Sequence, residues 1–186
     1  MRDDEVPGWW GRLGLTGLVD VHVHFLPDPV MDAVWHYFDQ AERHYGVAWP
    51  IHYRTPVEDR LATLRALGVR SFPALVYPHK ADMAAWLSEW ARAFAARTPG
   101  CVPSGTFSPE PGVAAYVDAA LAAGTRIFKV HLQVGGTTRG PTSWTRSGAG
   151  WPRPGCRWSS TAAPGRSRDG TPGRGRSARC CDGTRR

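Results

Sequence analysis

Between residues 137 and 186 the chain contains no Leu, Ile, Val, Phe, Tyr, Met, Lys, Glu, Gln, Asn or His. A segment with that vocabulary cannot bury a core, so a folded domain is excluded there and sought in residues 1–136. Those residues hold a single cysteine, Cys101, which excludes a disulfide scaffold. No run approaches the roughly 18 consecutive apolar residues of a membrane span, so a soluble protein without a membrane partner is expected. The opening Met-Arg-Asp-Asp-Glu-Val is acidic where a secretion signal has a basic region followed by an apolar one, and a cytoplasmic location is expected. No GxGxxG follows the first apolar run, and the segment from Gly11 to Gly17 lacks the phosphate-loop lysine, leaving nucleotide binding without local support.

The formal charge of +7 suggests a nucleic-acid partner until its distribution is examined. Residues 137–186 carry 11 arginines and two aspartates, or +9, which leaves 12 basic and 14 acidic residues, or −2, for residues 1–136. The basicity belongs to the tail, together with Cys156, Cys180 and Cys181.

That tail is unusual even for a disordered segment, which is ordinarily rich in Glu, Lys, Gln and Ser, because it contains Trp144, Trp151 and Trp158. Every residue type in it except Asp is encoded with G or C at the second codon position, and only Asp169 and Asp182 break the rule. In a GC-rich gene the third codon position is almost always G or C, so a frame that moves wobble bases into second place produces this alphabet. Read one base earlier, with permitted wobble bases, residues 151–165 become LAEAGVPVVVHCGTG, a helix end, a turn, a strand and a histidine. A frameshifted, disordered tail over 137–186 is therefore expected, with a natural Arg/Gly/Pro-rich nucleic-acid-binding tail as the alternative.

Residues 1–136 alternate between strand and helix patterns. Residues 18–25 form a short apolar run stopped by Pro27 and Pro29 and predict a first strand; Val30, Val34, Tyr37, Phe38 and Ala41 predict a helix over 29–45 that Gly46 ends. Thr55-Pro-Val-Glu58 predicts a capped helix start, with Leu61, Leu64 and Leu67 as its buried stripe and Gly68 as its stop. A second strand follows over 69–77, then a helix over 81–97 with Met83, Leu87, Trp90 and Phe94 at helical spacing. A weaker strand over 101–107, a helix over 113–123 and a strand over 126–134 complete a βαβαβαβ order suited to parallel crossovers. The fold class expected is α/β: about four units of an eight-fold (β/α)8 barrel, ahead of a small doubly wound sheet.

The barrel is preferred for what lies at the strand ends. Alternate side chains on a strand share a face, so Asp20, His22 and His24 project together, and two neutral imidazoles so placed can bind one cation with a carboxylate orienting a ring from behind. The alternative is a pair of partly buried structural histidines. On the last strand Lys129 and His131 share one face and Phe128, Val130 and Leu132 the other, so two polar groups point toward a barrel interior. These read as active-site lining or, alternatively, as a lysine reaching solvent and a capping histidine. His36 and His44 are expected at the surface or in aromatic packing, His79 on the functional face, and Trp35 and Trp49 in packing or as pocket walls.

The segment Leu18-Val-Asp-Val-His-Val-His-Phe-Leu-Pro27 resembles the strand-one signature of the amidohydrolase superfamily, in particular its mononuclear branch that includes decarboxylases. The likeness covers residues 1–136. It implies a (β/α)8 barrel with His22 and His24 as the first two ligands of a divalent ion, zinc foremost, and further ligands on later strands that have no counterpart in the arginine-rich tail. In binuclear members a strand-four lysine can be carbamylated to bridge two metals; the mononuclear branch usually lacks this, which leaves Lys129 and His131 as lining. The implied activity is metal-dependent hydrolysis of a small-molecule substrate, impaired here because half the barrel is missing. Metal-dependent non-oxidative decarboxylation is the runner-up, and nucleic-acid binding through the tail is the reading from another class. Open sheet edges imply a homo-oligomer or an aggregate.

Overall fold

The computed structural model describes residues 2–131 and the backbone of a strand at 157–161. After a 3₁₀ turn at Asp3–Glu5 come α1 (Val6–Arg12), β1 (Leu18–Val19), α2 (Asp28–Asp39), α3 (Ala41–Tyr45), α4 (Val57–Ala66) and β2 (Val69–Pro73). The chain continues through α5 (Ala84–Arg97), β3 (Cys101–Val102), β4 (Ser104–Thr106), α6 (Val113–Ala122), β5 (Ile127–His131) and β6 (Arg157–Thr161). All strand pairings are parallel, in ladders of order β1-β2-β3 and β4-β5-β6. The class is thus α/β with small parallel sheets.

Only Pro103 separates β3 from β4. Proline has no N–H to give a ladder, and two buried hydroxyls continue the cross-strand bonding beyond it: Ser104 Oγ donates to Ala74 O at 2.6 Å and Thr106 Oγ1 to Lys129 O at 2.7 Å. Helix α5 seals this face through Ser88, whose Oγ accepts from Thr106 N at 2.9 Å.

Three apolar clusters hold the helices to the sheet. Leu26, Met31, Val76, Met83, Leu87 and Ala91 form one, and Phe25, Phe72, Ala74 and Phe94 a second with Leu61 and Leu64 against it. Phe107, Val113, Phe128 and Val130 form the third, under Tyr116, Val117, Ala120 and Leu121 of α6. Phe128 and Val130 therefore turn outward to a helix, which aims Lys129 and His131 at the other face.

Several expected elements differ in extent. The first strand, expected over 18–25, pairs only at Leu18–Val19, where the register shifts; Asp20 N still donates to Ser71 O and Leu75 N to Val23 O. The ladder loosens because Asp20 Oδ1 accepts from His22 N at 2.9 Å and bends the chain. The first long helix breaks at Gln40 into α2 and α3, with Gly46 at φ 73° ending the second as expected. Helix α4 starts after Pro56 without a side-chain cap, so the expected Thr55 cap and Glu58 box do not form. Helix α1 was not expected at all: its Trp10 donates from Nε1 to Leu67 O at 3.1 Å and covers Gly68, whose φ of 79° admits no Cβ against that ring.

Of the tail expected to be disordered, residues 157–161 depart from that expectation, forming a parallel strand along the whole of β5 from Ile127↔Arg157 to His131↔Thr161. The rest of the tail lies outside the described residues. Among the described residues no helix is long and apolar enough to cross a membrane.

Candidate metal and active site

The carboxyl ends of parallel strands are where α/β folds place their ligands, because successive strands deliver their last side chains to one rim. Here the segment after β1 brings His22 and His24, the segment after β2 brings Tyr77 and His79, and β5 brings Lys129 and His131.

His22 and His24 meet with their Nε2 atoms 3.1 Å apart. His24 Nδ1 lies 2.9 Å from Leu75 O. A carbonyl only accepts, so Nδ1 carries the proton and the lone pair of neutral His24 sits on Nε2, facing His22. Burial, reinforced by the Lys129 ammonium, pushes the His24 pKa down to about 3, so the neutral form persists across the physiological range. His22 is shifted down by the same two causes, burial first, with Asp20 opposing.

Lys129 is 1% exposed, which sets aside the reading of a lysine reaching solvent. Its Nζ lies 3.3 Å from His22 Nε2 and 5.7 Å from the centre of the Tyr77 ring, and burial lowers its pKa to about 8. Tyr77 is the hub of the site: its ring centre is 5.4 Å from that of His24, 5.0 Å from His79 and 5.1 Å from His131. Its hydroxyl is buried enough to titrate only near about 12.

The sequence-expected residues His22, His24, Lys129, His131 and His79 are thus brought to one rim. Asp20 is not placed as expected: its carboxylate binds the backbone of His22, and the ring-orienting role falls to Leu75 O. His36 and His44 stay on the surface, beside Gln40 and Tyr37 respectively. Trp49 packs on Phe38 and is exposed, while Trp35 lines the first cluster. Tyr77 and the buried Arg60 were missed; a Tyr-Pro-His sequence closing a strand was the available signal for the first.

The fit to a divalent ion can be judged from the imidazole nitrogens. At Zn–N bonds of about 2.0–2.1 Å, nitrogens 3.1 Å apart subtend about 100° at a shared ion, within the range of a tetrahedral site. His24 presents the lone pair such an ion needs, and His22 presents its own once its proton moves to Nδ1. Among the described residues, however, no three His, Cys, Asp or Glu side chains are grouped to hold a metal, so His22 and His24 stand as a pair of candidate ligands without a third beside them. Comparisons with protein-family models, with curated proteins and with solved structures find nothing that matches this chain.

Proposed function

We propose that the chain carries the first part of a metal-dependent hydrolase site of the amidohydrolase type, on the opening βα units of a (β/α)8 barrel. His22 and His24 are the ligands of a divalent ion, zinc foremost, and Lys129 and His131 line the space for a small-molecule substrate. A bound zinc would supply a water of pKa about 7 and polarise a carbonyl. The observation that carries this reading is the 3.1 Å approach of two Nε2 atoms at the carboxyl rim of a parallel sheet, with the His24 tautomer set by Leu75 O.

Each residue then has a task. Leu75 O holds the His24 ring in the liganding tautomer. Lys129 and His131 offer N–H donors to the oxygen atoms of a substrate, and Tyr77 walls the space between them. That this lining consists of nitrogen bases also favours a second reading, non-oxidative decarboxylation of a carboxylate-bearing substrate, over the same metal site.

The reading includes a shifted frame from residue 137 onward. In the frame one base earlier, and with permitted wobble bases, positions 157–161 can be read as Pro-Val-Val-Val-His, a strand sequence, over the residues of β6. With two ligands among the described residues, and with barrel sites drawn from several strand ends, the expected turnover of the chain as it stands is negligible.

The test is zinc content per chain after dialysis of the full-length protein. The cysteines at 156, 180 and 181 are potential ligands too, so three proteins are compared: the parent, H22A/H24A, and a variant with all three cysteines changed to serine. Zinc held by the parent and by the cysteine variant, but lost from H22A/H24A, is expected. Zinc that follows the cysteines would overturn the assignment.

A further inference from the structure

The ladder of β1 ends at Val19, yet the two histidines lie beyond it, at 22 and 24. Something other than sheet pairing must hold them. On the β2 side there are two bonds, Leu75 N to Val23 O at 2.8 Å and His24 Nδ1 to Leu75 O at 2.9 Å. On the helix side, among the described residues, there is one polar contact: Arg60 of α4, whose Nη1 donates to His24 O at 3.4 Å.

Arg60 is an expensive residue for that place. It is 9% exposed, and among the described residues it forms no ion pair. Its Nε is buried without an acceptor, as is Nε1 of Trp35 nearby. Asp28 and Glu58 offset its charge only from a distance. A methionine could fill the slot between Phe25 and Trp35 without desolvating a cation, and such replacements are often neutral or stabilising. What a methionine cannot do is combine a flat face with an edge of N–H donors. The guanidinium uses both: its Cζ stacks 4.8 Å from the Phe25 ring centre and 5.9 Å from that of Trp35, while its edge reaches the carbonyl of His24. One side chain thereby grips two consecutive residues of the liganding segment.

We propose that Arg60 is a positioning residue for His24, clamping the His24 carbonyl and the Phe25 ring so that the imidazole stays bonded to Leu75 and aimed at His22. The proposal rests on the metal-site reading for its consequence, but not for the clamp itself.

Two readouts on the full chain separate the clamp from its consequence. The first is the ¹⁵N NMR signature of the His24 ring in metal-free protein: the parent shows a single Nδ1–H tautomer, and R60M shows a mixture. The second is zinc affinity by competition with a chromophoric chelator: R60M binds about tenfold or more weakly, the usual effect of losing a residue that orients a ligand. Its metal-free melting temperature stays level or rises, whereas a merely structural role would lower it. R60K keeps a donor without the stacking face and falls between parent and R60M; it carries both readouts should R60M fail to fold. An unchanged tautomer in both variants overturns the proposal. Zinc binding that is identical in the parent and H22A/H24A overturns the metal reading, and with it the affinity consequence, while the tautomer still decides the clamp.

Discussion

Lowering the pH should destabilise this protein through His24 in particular, and the size of the effect follows from how far its pKa is depressed. The folded chain holds His24 neutral down to about pH 3, against an ordinary value of 6.5. The depressed pKa means that the unfolded chain binds the proton and the folded chain refuses it. Stability from this group is complete above about pH 6.5 and falls as the pH drops below it. Between pH 7 and pH 5 the loss is about 2 kcal/mol. That is a substantial part of the roughly 5–15 kcal/mol of a typical domain. Urea denaturation of metal-free protein at pH 7, 6 and 5 measures it, with His24→Gln as the variant that has no proton to gain. His22 and His131 are also shifted down and contribute in the same direction, but they are present in both proteins. The parent should therefore lose about 2 kcal/mol more than H24Q over this interval. Equal losses, or a parent that gains stability on acidification, would refute a His24 imidazole held neutral by the fold.

Other outcomes test the frame around the site. Phe25 is 1% exposed and stacks on Phe94 at 5.0 Å, so Phe25→Ala should cost about 3–5 kcal/mol in urea denaturation, and a loss below about 1 kcal/mol would contradict its place in the core. Gly46 and Gly68 both have positive φ, but a Cβ at Gly68 would lie 2.4 Å from Trp10 Cζ2 while one at Gly46 meets nothing, so G68A should destabilise more than G46A; equal effects would remove Trp10 from its position over α4. Val19 and Val21 are 69% and 63% exposed beside an edge strand, so self-association measured by light scattering should fall in V19K/V21K, and a parent that is monomeric throughout would contradict the open edge.

The alternation of strands and helices was legible because helical stripes such as Met83, Leu87 and Phe94 are long enough to show their period, and those residues are buried as the spacing requires. The direction of Lys129 was legible for a related reason: Phe128 and Val130 had to face a helix, and a strand leaves the opposite side for its neighbours. Strand length was not legible. Asp20 looked like one more member of a face, but an aspartate two residues before an available N–H can bend the chain instead, and does. Val130 is buried under α6, since it lies on the helix-facing side of β5. Helix α1 was invisible because Gly8 and Gly11 oppose it locally, and its anchor is a tertiary bond from Trp10 to Leu67. Arg60 was hidden for the opposite reason: it sits in an ordinary helical sequence, and only three-dimensional neighbours reveal that it is buried.

Zinc-edge X-ray absorption of the zinc-loaded full chain tests most directly whether His22 and His24 share one divalent ion, because the scattering shell distinguishes imidazole from thiolate. Two imidazole nitrogens at about 2.0–2.1 Å are expected, with oxygen donors in the remaining positions and loss of the imidazole signal in H22A/H24A. A shell dominated by sulfur at about 2.3 Å, or imidazole scattering that survives the double substitution, would contradict a shared ion.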